Sequence, residues 1–132
     1  MTKKILIVAS ILGMTSIILG AFGAHGLKQL IPEHAIQTFE TGVRYQMYHA
    51  ILLLFVGTTS LIQPKTKKIM YYLIMFGVLF FSGSIYGLAT NTLTAFDFKS
   101  IGFITPIGGL LLIVAWGFMF VGFLKISPKK GF

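Results

Sequence analysis

Four apolar stretches divide this chain, each close to the length that crosses a hydrocarbon core of roughly 30 Å. They run from about Ile5 to Phe22, Tyr45 to Ile62, Ile69 to Thr90 and Pro106 to Ile126, and none has Lys, Asp or Glu in its interior. In lipid a backbone amide has no water to turn to, so an isolated spanning segment must satisfy its own hydrogen bonds as an α-helix. The pattern predicts an all-α, integral-membrane, antiparallel four-helix bundle formed by residues 1–132 as one domain. Composition agrees with this solvent. Hydrophobic residues make up 55% of the chain and charged residues 11%, whereas a soluble domain carries roughly 25% charged residues. A chain so poor in charge would expose large apolar patches in water.

The lysines give the spans a direction. Lys3 and Lys4 precede the first stretch, Lys65, Lys67 and Lys68 lie between the second and third, and Lys125, Lys129 and Lys130 end the chain. An even number of crossings puts these three segments on one side, where they carry no acid. The other side carries Lys28, Arg44 and Lys99 against Glu33, Glu40 and Asp97. The whole net charge of +8 therefore lies on one face. The positive-inside rule assigns that face, with both termini, to the cytoplasm. This placement explains the basic balance without nucleic acid. Reading Lys3, Lys4 and the first apolar run as a cleaved signal peptide fits less well. The run is long for that role, and cleavage would leave an odd number of spans and split the basic segments between two faces.

Local signals mark the breaks. Pro32 and Glu33 open a helix ahead of the second span, with the acid at its positive end. Pro64 follows the second span, Thr66 is positioned to cap the third helix, and Thr105–Pro106 reads as N-cap and first residue of the fourth. From Pro32 onward the period is helical, with Ile36, Phe39, Val43, Met47 and Ala50 on one face. An amphipathic lead-in thus runs into the second span, as one long helix or as an interfacial helix with a kink near Gly42.

Residues with chemistry gather between Gly20 and Ala50. Glu40 and Arg44 stand one helical turn apart and are placed to pair. Convergence of His25, Glu40, Arg44 and His49 would make a polar cluster at the membrane boundary, as a structural lock or a recognition site. The blander alternative is that Arg44 snorkels, Glu40 neutralises it, and Tyr45 and Tyr48 belong to the interfacial aromatic belt. No helix carries a Glu-x-x-His or His-x-x-x-His metal spacing, so no metal or other cofactor is expected. There is no cysteine, which excludes disulfides and thiolate chemistry. Ser82 and Ser84 are the nucleophiles a histidine hydrolase would need, but serines in membrane helices more often bond to backbone or support packing. Gly20, Gly23, Gly83, Gly87, Gly108 and Gly109 are candidates for close helix packing, Gly83 and Gly87 as a GxxxG pair.

The blocks GAFGAHGLK, FETGVRYQMYHA, FSGSIYGL and TPIGG followed by a tryptophan occur in this order over nearly the whole chain. In these blocks the sequence resembles the YgdD/YwdK-type family of small bacterial inner-membrane proteins (domain of unknown function four-two-three), related to animal transmembrane protein two-five-six. The resemblance implies four membrane helices and supplies no catalytic residues to carry over. It marks Gly23, His25 and Gly26, then Glu40, Arg44, Tyr45, Tyr48 and His49, then Thr105, Pro106, Gly108 and Gly109 as family-type positions. The leading expectation is a non-enzymatic bundle of the cell membrane whose partners are membrane lipids, a protein or a second copy of the chain. An oligomeric transporter of small solutes or protons is the alternative, and a membrane enzyme the third.

Overall fold

The computed structural model describes residues 1–127; Lys129 and Lys130 lie outside them. Among the described residues the regular structure is wholly helical. There are four long helices, α1 (Thr2–Ala24), α2 (Glu33–Thr58), α3 (Pro64–Ala89) and α4 (Ile104–Leu124); a 3₁₀ turn at Leu27–Gln29 joins α1 to α2, a short non-helical link joins α2 to α3, and 3₁₀ turns at Asn91–Leu93 and Phe98–Ile101 join α3 to α4.

The helix starts follow from local chemistry, with two departures from the sequence reading. Pro32 is extended and precedes α2, and its carbonyl accepts the amides of Ala35 and Ile36. Glu33 sits in the first turn, against the positive end of the helix dipole. α3 starts on Pro64, whose fixed φ suits a first helical position and whose missing N–H has no partner to lose. Thr66 therefore lies inside α3 instead of capping it. α4 starts at Ile104, so Thr105 does not cap it either. Gly102 and Phe103 already have helical dihedrals, leaving no extended residue there for a cap. The Thr105 hydroxyl bonds instead to that of Ser84 on α3, at 2.5 Å. α2 runs unbroken through Gly42 as one helix of 26 residues, about 39 Å at ~1.5 Å per residue.

Neighbouring helices are antiparallel. Gly57 near the end of α2 faces Ile5 and Leu6, and Gly23 near the end of α1 faces Phe39. On the other flank Gly108 abuts Phe80 and Phe81, and Gly122 lies near Thr66. α2 and α3 form the centre, α1 packs on α2 and α4 on α3, while α1 and α4 meet at most marginally. The main core joins Ile5 and Ala9 to Leu53, Val56, Met70, Ile74, Val78, Leu112 and Ala115. A smaller one, Leu27, Ile31, Ile36, Phe39 and Ala89, lies beneath the mixed-charge end.

Three segments are long and apolar enough to cross a membrane: Thr2–Gln29, Pro64–Ala89 and Phe98–Leu124. α2 is not among them, although the sequence predicts a span at about 45–62. Its first half carries Glu33, Glu40 and Arg44, and Gln46 and His49 lower the hydropathy of the rest. These last two are withdrawn from the surrounding medium, with only 5% and 4% of their surface exposed. A helix flanked by other helices can hold polar groups that a lipid-facing one cannot.

Candidate functional site

A buried amide on a central helix has two N–H donors and an oxygen to satisfy, and in an apolar medium each unmet group is costly. Gln46 meets all three needs across two helix interfaces. Its Nε2 donates to the Leu12 carbonyl at 3.0 Å and to Thr15 Oγ1 at 2.7 Å, both on α1. Its Oε1 accepts the Tyr86 hydroxyl of α3 at 2.6 Å. The orientation of the amide is fixed by its surroundings, because the Leu12 carbonyl can only accept. Ser82, also on α3, donates to the Gly42 carbonyl at 2.7 Å. Gly42 allows this approach, since a Cβ there would stand 2.8 Å from the Tyr86 ring. One polar layer therefore ties α1, α2 and α3 together, roughly 10 Å from the level of Phe39 by the seven-residue offset along α2.

Beside this layer lies a cavity of about 380 Å³. Leu12 of α1 and Met75, Phe76, Val78, Leu79 and Gly83 of α3 form its apolar lining, and Gln46, Ser82 and Tyr86 are its polar members. Among the described residues no charged side chain lines it. Phe76, Leu79 and Gly83 are exposed, so the groove opens sideways on the flank of the bundle and not along its axis.

His25, Glu40, Arg44 and His49 do not converge. His25 is an exposed residue closing α1 through its backbone amide. Glu40 borders a separate hollow of about 480 Å³ at the mixed-charge end, with Lys28, Glu33 and Gln37 among its neighbours. Arg44 is exposed and donates to Thr41 Oγ1 at 3.1 Å. Among the described residues it forms no ion pair with Glu40, in keeping with how little two long exposed side chains gain by pairing. His49 turns the other way, into the interface with α4, where its Nε2 accepts the Trp116 indole N–H at 3.2 Å. Indole is a donor only, so Nδ1 carries the hydrogen and gives it to the Tyr45 carbonyl at 2.7 Å. Tyr45 and Tyr48 are exposed, with Tyr45 also packed on Phe81. A lock made of Glu40 and Arg44 would melt when Arg44 is lost. With the observed contacts, Arg44→Ala is expected to change stability in detergent by less than about 0.5 kcal/mol, read as an unchanged melting temperature.

The glycines divide in the same way. Gly108 meets α3 backbone directly, Gly23 faces the Phe39 ring, and Gly20 and Gly109 make ordinary contacts with Val43 and Phe81. Gly83 and Gly87 are not a packing pair. Gly83 opens on the groove, and Gly87 takes the Phe98 ring from the turn that precedes α4. Gly42, Gly57 and Gly77, which no motif marked, make closer approaches than either Gly20 or Gly109. Ser82 and Ser84 bond to Gly42, Phe81 and Thr105, with no histidine among these partners. Sequence reasoning passed over Gln46, Tyr86 and Trp116. The available signal was Gln46 itself, a lone amide at the start of an apolar run, which must find partners on neighbouring helices.

A family described as "Protein of unknown function (DUF423)" matches residues 19–109. The chain is similar to the UPF0382 membrane protein SSP2132 of Staphylococcus saprophyticus, with 38% identity over 94% of this chain and 99% of the relative. It is similar to the UPF0382 membrane protein YwdK of Bacillus subtilis, with 35% identity over 93% and 98%. The UPF0382 inner membrane protein YgdD of Escherichia coli is 33% identical over 97% and 95%. No solved structure matches.

Proposed function

The chain belongs to the DUF423 family of membrane proteins, and from that premise we propose that it is a non-enzymatic, lipid-binding helical bundle that crosses the cytoplasmic membrane four times with both termini in the cytoplasm. Two observations support the topology. α2 runs antiparallel along α1 for its length, from Phe39 opposite Gly23 to Gly57 opposite Ile5, so α2 crosses wherever α1 does. The lysines of residues 3–4, 65–68 and 125 then share one end, and the acids Glu33, Glu40 and Asp97 the other. On this reading Arg44 is a snorkelling residue near the outer boundary.

One observation carries the binding role: the groove beside the polar layer, walled by Leu12, Phe76 and Leu79 and open on an exposed apolar flank, which the proposed topology sets against acyl chains. A groove of this kind in a membrane fills from the side, and lipid is the medium that meets it.

Two glycines make the test. Nothing lies closer to a Cβ at Gly83 than Leu79, at 4.0 Å, and nothing within 4 Å at Gly117. A Cβ meets no clash at either position, but only Gly83 lines the groove. Protein extracted in mild detergent is expected to carry about one tightly held lipid per chain in native mass spectrometry. Gly83→Leu is expected to lose it and Gly117→Leu to retain it, with both variants melting as the parent does. Equal lipid content in the two variants, or a parent chain without lipid, would contradict the reading.

A further inference from the structure

Hydrogen-bond capacity around the groove is one-sided. The Tyr86 hydroxyl hydrogen goes to Gln46 Oε1, the Ser82 hydrogen to the Gly42 carbonyl, and both Gln46 amide hydrogens to Leu12 and Thr15. The Thr15 hydrogen is in turn held by the Ile11 carbonyl at 2.8 Å. Every side-chain donor in the layer is therefore engaged. Acceptor capacity towards the groove remains on Tyr86 Oη and Gln46 Oε1, because each oxygen has a second lone pair; Ser82 Oγ is buried beneath them and neighbours the Tyr86 hydroxyl. A ligand reaching this layer finds acceptors and no free donor.

From this asymmetry we infer that the groove selects a neutral lipid alcohol: one or two hydrocarbon chains ending in a free hydroxyl, the class of diacylglycerols and long-chain or isoprenoid alcohols. The hydroxyl donates to the oxygens of the layer, and the chains lie along Leu12, Met75, Phe76 and Leu79. Lipids whose polar end is only an acceptor, such as an ester or a quinone, leave their oxygen facing other oxygens. Charged phospholipid head groups are disfavoured by the lining, since among the described residues no cationic side chain borders the groove and uncompensated charge in an apolar pocket is expensive. The inference rests on the lipid-groove reading above and adds to it the chemistry of the occupant.

The test compares two probes that differ at one group, 1,2-dioleoylglycerol and its 3-acetate, in which the donor hydrogen is replaced by an acyl cap. Each is titrated onto the full chain in detergent after removal of endogenous lipid, with binding followed by native mass spectrometry. The alcohol is expected to bind about tenfold more tightly than the acetate, the usual scale for one satisfied buried hydrogen bond. Gly83→Leu is expected to abolish binding of both probes while Gly117→Leu keeps the preference. Equal affinity for the two probes, or tighter binding of the acetate, would overturn the donor inference and leave the groove standing. Binding of neither probe, or binding unaffected by Gly83→Leu, would overturn the groove reading itself and the inference with it.

Discussion

Gly108→Ala is expected to cost about 3 kcal/mol or more of stability, at the upper end of what overpacking a closed interface does. A Cβ there would stand 2.3 Å from the Phe81 amide nitrogen, 2.8 Å from the Gly77 carbonyl oxygen and 2.8 Å from the Phe80 carbonyl carbon. All three are backbone atoms, so no rotamer change relieves the clash and α3 and α4 must move apart. That separation strains the Ser84–Thr105 contact and opens the seat of Leu112, which packs across Gly77. In lipid, close packing of this kind takes the place of the hydrophobic drive between helices. Gly109→Ala, with the Phe81 ring at 3.5 Å, and Gly117→Ala, in open space, are the matched controls and should stay near the parent. Unfolding by denaturing detergent, followed by circular dichroism, measures all three. A Gly108→Ala variant as stable as Gly117→Ala would mean that α3 and α4 do not touch backbone to backbone.

Gln46→Leu is expected to have the next largest effect, about 2 kcal/mol. The amide makes three hydrogen bonds to two neighbouring helices, and side-chain hydrogen bonds within membranes contribute on average about 0.6 kcal/mol and at most about 1.7. The substitution also strands the Tyr86 hydroxyl in an apolar layer, where an unmet donor is costly. A second change exposes that component. Adding Tyr86→Phe removes the stranded hydroxyl, so the double variant should be destabilised by about 1 kcal/mol less than the sum of the singles. Strict additivity would show that the two side chains do not bond. The double variant also turns the groove margin apolar, and its preference for the alcohol probe should fall towards that for the acetate.

Much of the architecture was legible because it depends on one-dimensional features. Apolar length sets the helices, Pro32 and Pro64 start two of them, and lysine placement orders the ends. The identity of the polar site was not legible, because helical period groups residues on a face without saying which neighbour that face meets. Glu40 and Arg44 satisfied the i,i+4 rule and stayed apart, since Thr41 lay nearer to the guanidinium. The period of α2 sets His49 among the boundary residues, whereas its partner Trp116 lies 67 positions away on α4. Gly77 carries no motif for a similar reason. What makes it a packing residue is a leucine on α4, which no spacing within α3 reveals. By hydropathy α2 falls short of a span, because Gln46 and His49 count against it although both are buried between helices.

The absence of cysteine from the chain permits the most direct measurement, single-cysteine labelling of intact cells with a membrane-impermeant maleimide. The substitutions Lys3→Cys, Lys67→Cys, Gln37→Cys and Thr94→Cys place one thiol at each end of both helical hairpins. If α2 crosses with the other three helices, Gln37→Cys and Thr94→Cys label from outside, and Lys3→Cys and Lys67→Cys label only after the cells are opened. Labelling of Lys3→Cys and Lys67→Cys from opposite sides would contradict a four-crossing bundle.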